Sequence, residues 1–117
     1  TFRVLLALVA ALGLLLEVMD VQTAYLHADL PETVYMKQPE GYEQWDEATG
    51  GPGAGVQRRS LVCLLLKALY GLKQAGRQWN IHLDAFIRSL GFKRCSSDSC
   101  VYVRVSRSGR VLLICVY

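Results

Sequence analysis

The sequence predicts an α+β fold, with helices packed on one face of a mainly antiparallel sheet. Three observations carry that prediction. Trp79, Leu83, Phe86, Ile87 and Leu90 recur at helical spacing, which gives a helix one apolar stripe to lay on a sheet. Val101-Tyr102-Val103-Arg104-Val105 alternates, Ser106-Arg107-Ser108-Gly109 supplies a turn, and residues 111–116 are apolar throughout, the pattern of a hairpin whose second strand is central. Two more strand-like runs, residues 33–37 and 61–66, come before them.

Taken in order, residues 2–13 read as a helix, apolar nearly all round and hence buried on most sides, with Gly13 near its end. Residues 14–21 read as a strand and residues 23–30 as a short helical or turn segment. Residues 33–37 form a Val/Tyr/Met strand bracketed by Pro31 and Pro39. Residues 43–59 are polar and contain Gly50, Gly51, Pro52, Gly53 and Gly55, a composition that suits a flexible surface loop. Residues 61–66 resume as an apolar strand, Tyr70-Gly71 turns the chain, and Gly91 caps the amphipathic helix. No internal repeat is evident.

At 117 residues and 52% hydrophobic, the chain holds one domain or a piece of one, able to bury roughly two thirds of its unfolded surface. Thr1 in place of a starting Met, and an apolar last strand without a polar tail, suggest a fragment. Residues 4–16 are all apolar or Gly behind Arg3, but such a run is short of the about 20 residues that span a bilayer, and Ala10-Ala11 lie inside it rather than after it as a cleavage site would. A buried helix feeding a buried strand is the better reading, and a membrane partner is not expected. Cys63, Cys95, Cys100 and Cys115 form no CxxC pair and have no His at zinc spacing. Cys63 and Cys115 read as small core hydrophobes, whereas Cys95 and Cys100 flank a polar loop and could pair if oxidised. Residues 1–57 carry two Lys or Arg against eight Asp or Glu, and residues 58–117 carry eleven against two. The halves therefore bear charges of −6 and +9, and the basic half suits a polyanion as well as a solvated face.

Asp20 ends the long apolar run. A carboxylate delivered from a core to a strand end is suited to hold a metal, and equally Asp is a favoured helix N-cap with residues 21–26 as the turn it would cap. Tyr25 reads as an anchoring aromatic or a substrate contact. Leu72-Lys73-Gln74-Ala75-Gly76-Arg77-Gln78-Trp79 opens the amphipathic helix with two cations and two amides. Cations at a helix start are disfavoured unless an anion balances them, so this start suits phosphate as well as an exposed polar face.

In order along the chain, Asp20-Val21-Gln22-Thr23-Ala24-Tyr25-Leu26, Val34-Tyr35-Met36-Lys37-Gln38-Pro39-Glu40-Gly41-Tyr42, Leu66-Lys67-Ala68-Leu69-Tyr70-Gly71-Leu72-Lys73-Gln74-Ala75 and residues 112–117 resemble the reverse transcriptase of copia-type LTR retrotransposons. The resemblance runs from about residue 2 to residue 117 and lapses only over residues 45–59. It implies a partial palm and fingers, spanning residues 1–117, of an RNA-directed DNA polymerase that uses deoxynucleotides and two Mg²⁺ ions, with Mn²⁺ as a substitute. By the same resemblance Asp20 is the first catalytic acid and metal ligand, and the Val21 carbonyl is a further metal ligand. Tyr25 stacks beneath the deoxyribose and excludes a 2′ hydroxyl. Gln74 belongs to the nucleotide pocket, with Lys73 or Arg77 near the triphosphate or template backbone.

The implied partners are an RNA or DNA template with its primer, deoxynucleoside triphosphates, and integrase and ribonuclease H modules of one polyprotein. The implied setting is cytoplasmic, inside virus-like particles. The family's other two acids follow the strand that here ends Val116-Tyr117, and Asp29, Asp84 and Asp98 are not placed to replace them. The chain alone is therefore expected not to polymerise. Two departures, Gly76 where proline is usual and His27-Ala28 where Asn-Gly is usual, leave a second reading open. In that reading the chain is a non-catalytic, degenerate remnant with at most a basic nucleic-acid-binding face.

Overall fold

The computed structural model describes residues 2–47 and 58–117. The architecture of the described residues is mixed, with two α-helices and three separate antiparallel sheets rather than one. The chain divides into two compact units, residues 25–79 and residues 1–24 with 80–117.

In the unit of residues 25–79, β1 (Asp29–Lys37) pairs with β4 (Val62–Lys67). The ladder is regular from Val34↔Leu65 to Lys37↔Val62 and shifts register between Asp29 and Val34. Pro31 lies inside that shift, and a residue without an N–H cannot extend a ladder. Beyond it Lys67 ion-pairs with Asp29. The strand expected over residues 61–66 is thus present, but its exposed Val62, Leu64 and Leu66 show one open face.

The ends of the expected loop, β2 (Trp45–Glu47) and β3 (Arg58–Ser60), zip into a second ladder with Trp45 opposite Ser60. The remaining loop residues, 48–57, lie outside the described residues. One amide brings the loop's ends together: Gln38 Nε2 donates to the carbonyls of Gln44 and Leu61, each at 2.8 Å, while its Oε1 accepts from the Gln44 N–H.

Ala28, Ala68 and Ala75 form the buried centre of this unit, surrounded by Tyr25, Leu30, Leu72 and Trp79. Three small side chains let backbones approach closely, and the Ala68 N–H reaches the Ala28 carbonyl at 2.8 Å. The His27-Ala28 departure therefore has a structural use. Neither residue has a positive φ; among the described residues Thr23, at +51°, is the non-glycine residue that does.

In the other unit, β5 (Lys93–Arg94), β6 (Val101–Val105) and β7 (Val111–Cys115) form a three-stranded sheet in that order. Among the described residues β6 is central and β7 is the edge, the reverse of the expectation that the more apolar strand would be inside. α2 (Ala75–Ser89) begins in one unit and continues into this one, and Gly91 follows it with φ +86°. In this unit Ile87 is its buried residue, as Ala75 is in the other.

The expectation of helices on one face does not hold. Consecutive strand residues point to opposite faces, and Tyr102 reaches Asp84 of α2, whereas Val101 and Leu113 share a cavity with Val4, Leu5 and Leu8 of α1 (Phe2–Leu12). The two helices of this unit lie on opposite faces of the sheet. The helix over residues 2–13 exists as expected, but it is not buried: no residue of α1 is, and only Leu5 and Val9 are half-covered. Residues 14–21 are no strand either. A strand needs a neighbour to take its N–H and C=O groups, and no described strand pairs with this stretch. No helix among the described residues is long and apolar enough to cross a membrane.

Candidate functional site

Two groups of residues carry the expected chemistry, one in each unit. Tyr25, in the 3₁₀ turn Ala24–His27, packs its ring on Tyr70 with centroids 4.5 Å apart. Its hydroxyl approaches the start of α2, where a Cβ added to Gly76 would stand 3.8 Å from it. The chain enters that helix through two successive turns, Leu72 N–H to Leu69 carbonyl and Ala75 N–H to Leu72 carbonyl. The Gln78 N–H then bonds the Gln74 carbonyl at 3.0 Å, which makes Gln74 the N-cap residue.

The Gln74 side chain is held too, donating from Nε2 to Glu32 at 3.3 Å. Lys73 and Arg77 are exposed on either side of it and form no ion pair among the described residues. Tyr25, Gln74 and the two cations are thus brought together at one helix start. The unbonded N–H groups of that first turn and its positive dipole end favour an anion.

Asp20 and Val21 belong to the other unit. Both are exposed, in a stretch without regular secondary structure. The N-cap alternative for Asp20 fails on geometry, because the next helical turn begins only at Ala24. No described residue hydrogen-bonds or ion-pairs with its carboxylate. Among the described residues no three His, Cys, Asp or Glu side chains group as metal ligands.

Of the other acids of this unit, Glu17 is exposed in the same irregular stretch, and Asp84 and Asp98 are committed elsewhere. Asp84 accepts from Arg88 Nε at 2.7 Å and from the Tyr102 hydroxyl at 2.8 Å, with Arg94 at 3.6 Å. The hydrogen bonds from Arg88 and then Tyr102 hold its carboxyl below the ordinary carboxylate range. Burial, reinforced by Asp84, pushes the Tyr102 phenol up. Asp98 turns its own loop by accepting from the Cys100 N–H at 2.8 Å. Of this network only the Asp84–Arg88 spacing, four apart on a helix, had a sequence signal. The Tyr102 and Glu32 contacts join distant segments and had none. All four cysteines are free thiols; Cys63, Cys95 and Cys115 are half-buried rather than core, and Cys100 is exposed.

A family model described as reverse transcriptase (RNA-dependent DNA polymerase) matches residues 1–117. The chain belongs to the reverse transcriptase family. Its relatives place it with the copia-type reverse transcriptases of retrotransposons. It is 41% identical over 117 residues to the retrovirus-related Pol polyprotein from transposon TNT 1-94 of Nicotiana tabacum, covering all of this chain and 8% of that protein. It is 36% identical over 99 residues to the corresponding polyprotein from transposon RE1 of Arabidopsis thaliana, covering 85% of this chain and 6% of that protein. The putative transposon Ty5-1 protein YCL074W of Saccharomyces cerevisiae is 32% identical over 95 residues, 81% of this chain and 27% of its own length. This reverse transcriptase segment therefore spans less than a tenth of the plant polyproteins it matches. No solved structure matches it.

Proposed function

We propose that the chain supplies the nucleotide- and metal-holding part of an RNA-directed DNA polymerase, from the palm and fingers of that enzyme. The observation that carries the reading is Asp20: the family match runs through it, and its carboxylate is exposed, caps no helix and has no partner among the described residues.

Asp20 and the Val21 carbonyl offer the hard oxygen donors that Mg²⁺ takes, and Mg²⁺ leaves its other octahedral positions to water, substrate phosphates and one or two further carboxylates. Ions held there would supply Lewis-acid stabilisation of the oxygens in phosphoryl transfer. One carboxylate does not hold two ions, so the isolated chain is expected to be inactive until other acids join Asp20.

The remaining residues act on the nucleotide. Tyr25, braced on Tyr70, offers its ring to the sugar and excludes a 2′ hydroxyl by contact. Gln74, fixed by its own backbone as N-cap and by Glu32, positions the incoming base and sugar. Lys73 and Arg77 attract the triphosphate or the template backbone at a helix start that favours anions. Template with primer and deoxynucleoside triphosphates are the proposed partners. Fusion to integrase and ribonuclease H modules, in cytoplasmic virus-like particles, is the proposed setting, and the Pol polyprotein relatives support the fusion.

The two departures are compatible with the fold, and the remnant reading stands as the alternative. Ala28 packs at the centre of its unit without a strained φ, and Gly76 leaves the helix start intact. Primer extension by the polyprotein that contains this chain, on an RNA template with deoxynucleotides, tests the proposal. Extension that needs a divalent metal and a primer is expected; extension absent under every metal condition would refute it.

A further inference from the structure

We propose that the hairpin end of the β5–β6–β7 sheet, which carries Lys93, Arg104, Arg107 and Arg110, docks the phosphate backbone of a nucleic acid, an inference that rests on the polymerase reading for the kind of polyanion. These charges gather at one end of the sheet from both of its faces: Lys93 shares a face with Val103, and Arg104, the next residue of β6, is on the other. Lys93 lies opposite Val103, Arg104 follows on β6, and Arg107 and Arg110 sit in the turn that joins β6 to β7. Three residues of strand separate Val103 from Ser106, about 10 Å. That span is close to the Debye length at about 0.1 M salt, so the potentials of neighbouring cations add rather than being screened apart.

The charges at this end are available. Lys93, Arg107 and Arg110 are exposed and have no ion pair among the described residues. Arg104 is fixed in place by the Leu90 carbonyl at 2.9 Å and by stacking over Phe92. Of the unit's four acids, the two nearest in sequence, Asp84 and Asp98, do not offset them. Asp84 is neutralised by Arg88 and Arg94, and Asp98 stands at the opposite end of the sheet, beyond the Val101↔Cys115 pair.

The chemistry favours phosphate. Guanidinium groups bind phosphate oxygens in bidentate fashion, and of the Ser106 and Ser108 hydroxyls of the same turn, 3.0 Å apart and hydrogen-bonded to each other, one keeps a donor of the kind that contacts nucleic-acid backbones. Phe92, the aromatic at this end, is half-buried beneath Arg104 and offers no stacking platform for a base. The contact is therefore to the backbone and independent of sequence.

The test is a salt titration of the full 117-residue chain with fluorescent single-stranded RNA, comparing the wild type with Lys93→Ala/Arg107→Ala/Arg110→Ala. The three side chains are exposed, and equal circular dichroism verifies equal folding. Each phosphate contact to a single strand contributes roughly 0.7 to the slope of log K against log salt. The triple variant should lose about 2 from that slope and at least about tenfold in affinity near 0.1 M salt. Arg107→Lys/Arg110→Lys should keep the wild-type slope. Equal slopes in wild type and triple variant, or no RNA binding by the wild type, would overturn the proposal. Displacement of RNA by poly-glutamate of matched charge at equal potency would do so too, since it would assign an acidic protein segment. Failure of primer extension with the slope loss intact would remove the polymerase reading and leave the surface. Working extension with unchanged slopes would remove the surface alone.

Discussion

Gly76 to Ala is a substitution whose sign follows from the geometry of the α2 start. Gly76 is the second residue of α2 and has no positive φ, so an L side chain fits its backbone. An added Cβ would meet only the Tyr25 hydroxyl, at 3.8 Å, an ordinary contact. Glycine costs a helix interior about 0.8 to 1.0 kcal/mol relative to alanine, chiefly through the freedom of the unfolded chain. In the first turn, where the N–H of residue 76 precedes the first intrahelical bond, we expect the lower part of the range, about 0.5 kcal/mol of stabilisation. For a chain of this size that raises the midpoint of thermal unfolding by roughly 2 °C. Calorimetry or circular dichroism melts of the two chains measure it. Gly91 is the internal control: its φ of +86° is one that side chains resist, and Gly91→Ala should destabilise by about 1 kcal/mol. A lower melting temperature for Gly76→Ala would refute the description of this helix start and of Tyr25 beside it.

Other outcomes follow from contacts at the two sites. Asp84 has a depressed pKa in the folded chain, so its contribution to stability is complete above the ordinary carboxylate value of 3.8 and is lost as pH falls through the lower folded value. Asp84→Asn should flatten the acid limb of a stability–pH curve, and Tyr102→Phe should flatten it partly; an unchanged limb in both would contradict the network. Hydrogen bonding by Ser97 lowers the Cys95 thiol whereas burial raises that of Cys115, so Cys95 should alkylate faster near neutral pH, and Ser97→Ala should slow it, as read by mass spectrometry. In the polymerase, Tyr25→Ala should raise ribonucleotide use relative to deoxynucleotide use by roughly ten- to a hundredfold, whereas Tyr25→Phe should leave it unchanged.

Local patterns made some of these elements legible in the sequence, and non-local pairing hid the others. The stripe from Trp79 to Leu90 and the hairpin of β6 and β7 depend on neighbours in sequence, so period and turn chemistry sufficed. Residues 14–21 have the composition of a buried strand, but composition cannot supply a pairing partner. Apolar content suggested that β7 was central, yet strand order depends on where β5, a two-residue strand with no periodic signal, adds to β6. Gln38, outside the polar residues 43–59, brings Gln44 and Leu61 together, a contact that loop composition does not signal. At the site, Gln74 and Tyr25 were legible as types in a motif. Their supports, Glu32 and Tyr70, were not, because they come from other segments. The same holds for Tyr102, an outward position of an alternating strand that is buried against α2 instead.

Primer extension by the parent polymerase with Asp20→Asn, at fixed Mg²⁺ and saturating template–primer, tests the central claim most directly. The account predicts a loss of extension on the order of a hundredfold or more with template–primer affinity and melting temperature unchanged, since Asp20 is exposed and supports nothing else among the described residues. Extension at the wild-type rate would show that this carboxylate holds no catalytic metal and would contradict the account.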